Sequence, residues 1–182
     1  GLCLVGSEMC IRDSSMGDIA ASGGVWVTTL SDEIWAKKET LTGSIGVYGF
    51  IPTVEGIYEW AGVQVDGVSS TKANEWDPRM AMPVNVTKSI QAGVDDIYKK
   101  FVTKVSENRE MPYEEVHAIA KGRIWSGERA LQLGLVDKIG DLDDAINSAS
   151  IMADIEDYKI VRYFEKMDPL DIFISEFLKN IK

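Results

Sequence analysis

The stretch SMGDIAASGGVWV, Ser15 to Val27, sets a serine between two alanines and two glycines just ahead of an apolar run. Small neighbours leave room for a substrate around the hydroxyl, and glycines let backbone N–H groups approach a reacting carbonyl. Ser22, at a loop-to-helix junction, is therefore the candidate nucleophile; close helix packing is the other reading of the same AASGG string. Onward from it, GGVWVTTLSD is apolar enough for a buried helix, and EIWA, Glu33 to Ala36, reads as a short core strand before the polar turn KKET. Strand, helix and strand joined through a glycine-rich junction predict an α/β architecture.

The only histidine, His117, lies far downstream in YEEVHAIAKGR, a charged helical pattern in which a solvated side chain is expected. A Ser-His-Asp triad within this chain would have to use it, because imidazole orients and shuttles the proton in that device. The better candidate base is a lysine kept neutral by burial, which lowers an ammonium pKa toward working pH.

Three motifs in order, SMGDIAASGGVW, then ETLTGSIGVYG at Glu39 to Gly49, then GRIWSGERALQLGLVDKIGDLDDAI at Gly122 to Ile146, resemble the S49 peptidases, the signal peptide peptidase A (protease IV) family. The resemblance covers most of residues 15 to 160. It implies a serine peptidase with a Ser-Lys dyad on a ClpP/crotonase-like α/β fold, here a partial domain, with Ser22 as nucleophile. By the same resemblance the Gly23 N–H forms part of the oxyanion hole and Ser44 hydrogen-bonds the lysine amine. Locally, Ser44 would otherwise read as a turn serine beside Gly43.

The lysine is the open question. In single-domain members of the family the loop STKANEWDPRMAMP, Ser70 to Pro83, would deliver it, but an ungapped count from Ser44 lands on Asn74, and an amide is no base. Either the loop shifts to bring in Lys72, or the lysine comes from another part of the protein. Long tandem-repeat members carry the serine in the C-terminal half and the lysine in the N-terminal half. The string DGVSS, followed by a loop without an aligned lysine, resembles that C-terminal half, and this is the reading adopted. The upstream strand and loop that in the family supply the second oxyanion N–H are likewise absent from these residues.

Composition agrees with a folded globular domain and disfavours some partners. The 182 residues are 45% hydrophobic, enough for a sizeable core in one domain. Against 29 Asp and Glu stand 19 Lys and Arg, a net charge of −10. Nucleic acid and anionic membrane surfaces are therefore disfavoured, since phosphate neutralisation needs clustered cations. No run approaches the ~20 apolar residues of a membrane span. Both cysteines, Cys3 and Cys10, fall in GLCLVGSEMCIRDS, which lacks a clean period and reads as a non-native leader over residues 1–14, leaving 15–182 as the peptidase domain.

Further elements follow by periodicity. GSIGVYGFI reads either as an extended wall for backbone pairing with a peptide or as a core strand with glycine bulges. A helical stretch closed by Gly62 and a strand VQVDGV come next. Val86, Ile90, Val94, Ile97, Phe101 and Val105 define one face of a long helix from Pro83 to Asn108. Another helix starts near Pro112; Ser126 is an N-cap, Gly134 a stop, and LVDK a strand. Asp137, Asp141, Asp143 and Asp144 lack calcium-loop spacing and read as a solvated acidic turn and helix start, so no metal or cofactor is called for. YKIVRYF reads as a final strand, and the stripe Leu170, Phe173, Ile174, Phe177, Leu178 and Ile181 as a helix face packed in the domain or on another subunit.

What the resemblance implies for biology is hydrolysis of cleaved signal peptides and similar membrane-released peptides, at the outer face of the bacterial cell membrane, in a ring or dome-shaped oligomer. A phage-type capsid-processing peptidase and a non-catalytic assembly half are the alternatives.

Overall fold

Ile34, Trp35 and Ala36 form an unbroken buried run, and it becomes the middle strand of a parallel sheet, as expected where both faces are covered. The computed structural model describes residues 11–67 and 76–163. In it, β1 (Ser14–Ser15), β3 (Ile34–Ala36) and β6 (Lys138–Ile139) pair in parallel in the order β1-β3-β6. A second sheet holds β2 (Ile19–Ala21), β4 (Leu41–Gly43) and β5 (Ile124–Ser126), with β2 parallel and β5 antiparallel to β4. The chain ahead of β1 is hydrogen-bonded alongside β3, with Arg12 accepting from the Asp32 N–H at 2.7 Å.

The helices follow the sequence signals closely. The first, α1 (Gly23–Thr28), grows directly out of the end of β2. After α2 (Glu55–Trp60), Gly62 takes φ 68 and ends the turn. The long helix α3 (Val84–Asn108) buries Phe101, Val102 and Val105 against the core, while Ile97 on the same face stays 49% exposed. In α4 (Tyr113–Ile119), Val116 is buried and Glu114 and Glu115 sit in the positive first turn. Ser126 caps α5 (Gly127–Gln132) by accepting from the Arg129 N–H, and Gly134 follows at φ 73. Asp141 and Asp144 form a reciprocal capping box at the head of α6 (Leu142–Met152).

The core lies between the sheets and α3–α4, where Ile34, Ile45, Val102, Val105, Val116 and Val136 are almost wholly buried. Each such side chain contributes about 1.5–3 kcal/mol relative to exposure. Buried threonines are satisfied locally: Thr42 donates to the Ala20 carbonyl and Thr40 to the Gly17 carbonyl, both at 2.8 Å.

Several expectations are corrected. The helix after Ser22 is buried on one side only, with Val25 and Thr28 inside and Val27 exposed. VQVDGV forms no strand over residues 63–67, which are largely exposed, and residues 158–163 of YKIVRYF are likewise exposed and irregular. Among the described residues neither segment pairs with a strand, and alternation alone does not make one. Of GSIGVYGFI only Gly43 belongs to a strand. Asp137 is no solvated turn residue: it accepts from Arg109 at 2.9 and 2.5 Å and from the Ile34 N–H at 2.8 Å. Cys3, Cys10, Lys72 and the apolar stripe of residues 170–181 lie outside the described residues.

Candidate active site

Parallel pairing of β2 with β4 sets Ala21 opposite Gly43. The next residue on each strand is a serine, so Ser22 and Ser44 emerge side by side at the carboxyl ends of neighbouring parallel strands, where α/β proteins place their ligands. The Ser22 N–H donates to the Gly43 carbonyl at 2.9 Å, and the Ser44 N–H to the Arg123 carbonyl at 2.6 Å. Both serines have positive φ, 54 for Ser22 and 50 for Ser44. Ser22 makes no side-chain capping bond to α1, which leaves its hydroxyl available at the surface.

Ser22, Gly23 and Ser44 line one cavity of about 650 Å³. Its walls are mainly apolar and include Trp26 of α1 and Ile97, Tyr98 and Phe101 of α3. The Trp26 and Phe101 rings pack at 4.8 Å, fixing one wall. Val47 and Tyr48 continue the lining from the segment after Ser44. That segment is held by backbone contact, for the Gly122 N–H donates to the Ile45 carbonyl at 3.0 Å. A Cβ on Gly46 would stand 2.8 Å from the Gly122 nitrogen, so glycine is required for this approach.

Three of the four expected site residues are thus brought together, and the fourth, Lys72, lies outside the described residues. Lys121 also lines the cavity, but it is exposed, whereas a lysine that serves a serine nucleophile is desolvated. Sequence reasoning missed Tyr98. It follows Ile97 and precedes Phe101 by one turn, so the signal was an aromatic pair at helical spacing beside the predicted apolar face. His117 was read as solvated, yet it is half-buried and hydrogen-bonded to Tyr98. Among the described residues no group of three His, Cys, Asp or Glu side chains is arranged to hold a metal, and no helix is long and apolar enough to cross a membrane.

A serine held at positive φ on a sharp strand-to-helix turn is the setting in which α/β hydrolases carry their nucleophile. The comparison with known proteins is specific: the chain belongs to peptidase family S49, whose family model matches residues 14–156. It is 36% identical over 168 residues to Protease 4 of Salmonella typhi, covering 92% of this chain and 27% of that protein. Protease 4 of Haemophilus influenzae is 38% identical over 135 residues, 74% of this chain and 22% of the relative. The chloroplastic serine protease SPPA of Arabidopsis thaliana is 33% identical over 158 residues, 86% of this chain and 23% of the relative. The chain therefore spans about a quarter of the length of these relatives.

Proposed function

We propose that this chain is the serine-bearing part of an endopeptidase that hydrolyses cleaved signal peptides or similar membrane-released peptides through a Ser-Lys dyad. The observation that carries the reading is the shared cavity of Ser22, Gly23 and Ser44 in a chain of family S49. The protease names of the relatives support it. On this reading the α/β frame is of the ClpP/crotonase kind, as the resemblance implies.

The Ser22 hydroxyl oxygen attacks the scissile carbonyl while a neutral lysine amine takes its proton. The tetrahedral intermediate places its oxyanion on the Gly23 N–H and on a second donor from upstream sequence. Collapse breaks the C–N bond, the lysine returns the proton to the leaving amine, and water then hydrolyses the Ser22 ester. Ser44 holds the lysine amine toward Ser22. The lysine comes from the N-terminal half of a tandem protein, with Lys72 as the local alternative. The apolar walls suit an apolar substrate side chain. An oligomer at the extracytoplasmic face of the bacterial membrane is the setting that the family resemblance supports.

The test is covalent labelling of the full-length protein with a serine-reactive phosphonate, followed by peptide mapping. The adduct is expected on Ser22 and labelling is expected to disappear in Ser22→Ala. An adduct elsewhere, with cleavage intact in the alanine variant, sinks the assignment.

A further inference from the structure

Tyr98 is a half-buried tyrosine whose side chain borders the cavity next to Ser22, and its hydroxyl is not left to the cavity. A 2.9 Å hydrogen bond joins that hydroxyl to His117 Nδ1. The imidazole is itself clamped, edge-on to the Tyr98 ring at 5.7 Å and stacked on Tyr113 at 6.1 Å with the planes 12° apart. Burial pushes the Tyr98 hydroxyl above its ordinary value. Lys121 and Gly122, at φ 57 and 72, form the tight turn against which Ile45 and Gly46 are braced. A single imidazole thus fixes a cavity wall, and the wall is continuous with the segment that carries Ser44.

We propose that Tyr98 is a specificity-determining residue of this site and that His117 is its positioning residue. By occupying the hydroxyl, His117 makes the pocket present an aromatic ring rather than a polar group to the substrate. The pocket then favours a bulky apolar side chain over a polar one of similar size. A polar side chain entering along this wall would lose its water for little return, because the Tyr98 hydroxyl is already bonded to His117 and has only part of its hydrogen-bonding capacity left. The inference rests on the peptidase reading above and adds to it the pair of residues that sets side-chain preference.

The experiment uses the full-length protein and two fluorogenic peptides that differ only in leucine or glutamine at the residue donating the scissile carbonyl. His117→Ala frees the Tyr98 hydroxyl, and the leucine-over-glutamine ratio of kcat/KM is expected to fall about 5-fold, carried by KM. Adding Tyr98→Phe to that variant removes the freed hydroxyl and is expected to restore the ratio, a rescue that a merely structural histidine would not show. Should His117→Ala fail to fold, Tyr98→Ala opens the wall instead and is expected to shift preference from leucine toward tryptophan. An unchanged ratio in His117→Ala, a fall that Tyr98→Phe does not rescue, or an unchanged ranking in Tyr98→Ala overturns the proposal. Phosphonate labelling of wild-type Ser22 reads the peptidase assignment separately: labelling with unchanged preferences removes only the Tyr98–His117 pair, and absence of labelling removes the peptidase reading itself.

Discussion

The Ser22 backbone N–H donates to the Gly43 carbonyl at 2.9 Å, fastening the head of α1 to the strand that leads into Ser44. That bond helps to hold Ser22 at φ 54 and ψ −112, a conformation that costs a non-glycine residue about 1–3 kcal/mol. The strain turns the serine out at the junction, and it is repaid by the surrounding core rather than by the helix cap.

Strain at a working residue predicts a divergence between stability and activity. Ser22→Gly should unfold at higher temperature than wild type, by about 1 kcal/mol of stability, while losing peptide cleavage altogether. Ser22→Ala should lose cleavage without that gain, since alanine keeps the Cβ. Thermal melts and peptide turnover on the two variants check both halves.

Ser44 is expected to act on the base more than on the substrate. A neutral amine has a single lone pair, so a fixed hydroxyl partner selects the orientation that faces Ser22. Ser44→Ala should lower kcat about 10-fold or more with KM little changed. Steady-state kinetics showing a raised KM at unchanged kcat would reassign Ser44 to substrate binding or to the turn.

The 182-residue chain alone is expected to be nearly inactive, since its lysine and second oxyanion donor are assigned to upstream sequence. One missing oxyanion donor lowers kcat by about a hundredfold or more. Turnover should return when the upstream half is supplied. Robust activity of the isolated chain that vanishes in Lys72→Ala would place the base in the local loop instead.

Arg109 and Asp137 tie the end of α3 to the β3–β6 edge through a two-pronged ion pair, and the Ile34 N–H donates to the same carboxylate. Burial pushes the Asp137 carboxyl up, but the Arg109 guanidinium and the Ile34 amide outweigh it and hold the group below its ordinary value. A depressed carboxyl stabilises the fold above its unfolded pKa of about 3.9 and stops doing so as pH falls through the lower folded value. Arg109→Ala should therefore cost about 2–3 kcal/mol at neutral pH, and the gap to wild type should narrow below about pH 4. Denaturant melts at a series of pH values test the sign.

Much of the frame was legible in the chain. The period of α3, the cap at Ser126 and the helix start among Asp141, Asp143 and Asp144 depend on residues within a turn of one another, and all appear where expected. The strand EIWA stood out because three consecutive buried residues have no polar face to show. VQVDGV carried a strand-like alternation and YKIVRYF also read as a strand, yet over residues 63–67 and 158–163 neither is one. A strand needs a partner edge, and no local pattern says whether one is available.

By itself the sequence determined the α/β alternation, the helix ends and the small-residue setting of Ser22, because these rest on side-chain size, backbone freedom and contacts a few residues apart. Only the tertiary structure decided that Ser44 stands beside Ser22, that Asp137 is gripped by Arg109, and that His117 reaches Tyr98. Each of these joins residues about twenty or more positions apart. Their meeting depends on the register of a parallel pair and on the packing of α3 against α4, which are set by burial over the whole core rather than by any one segment.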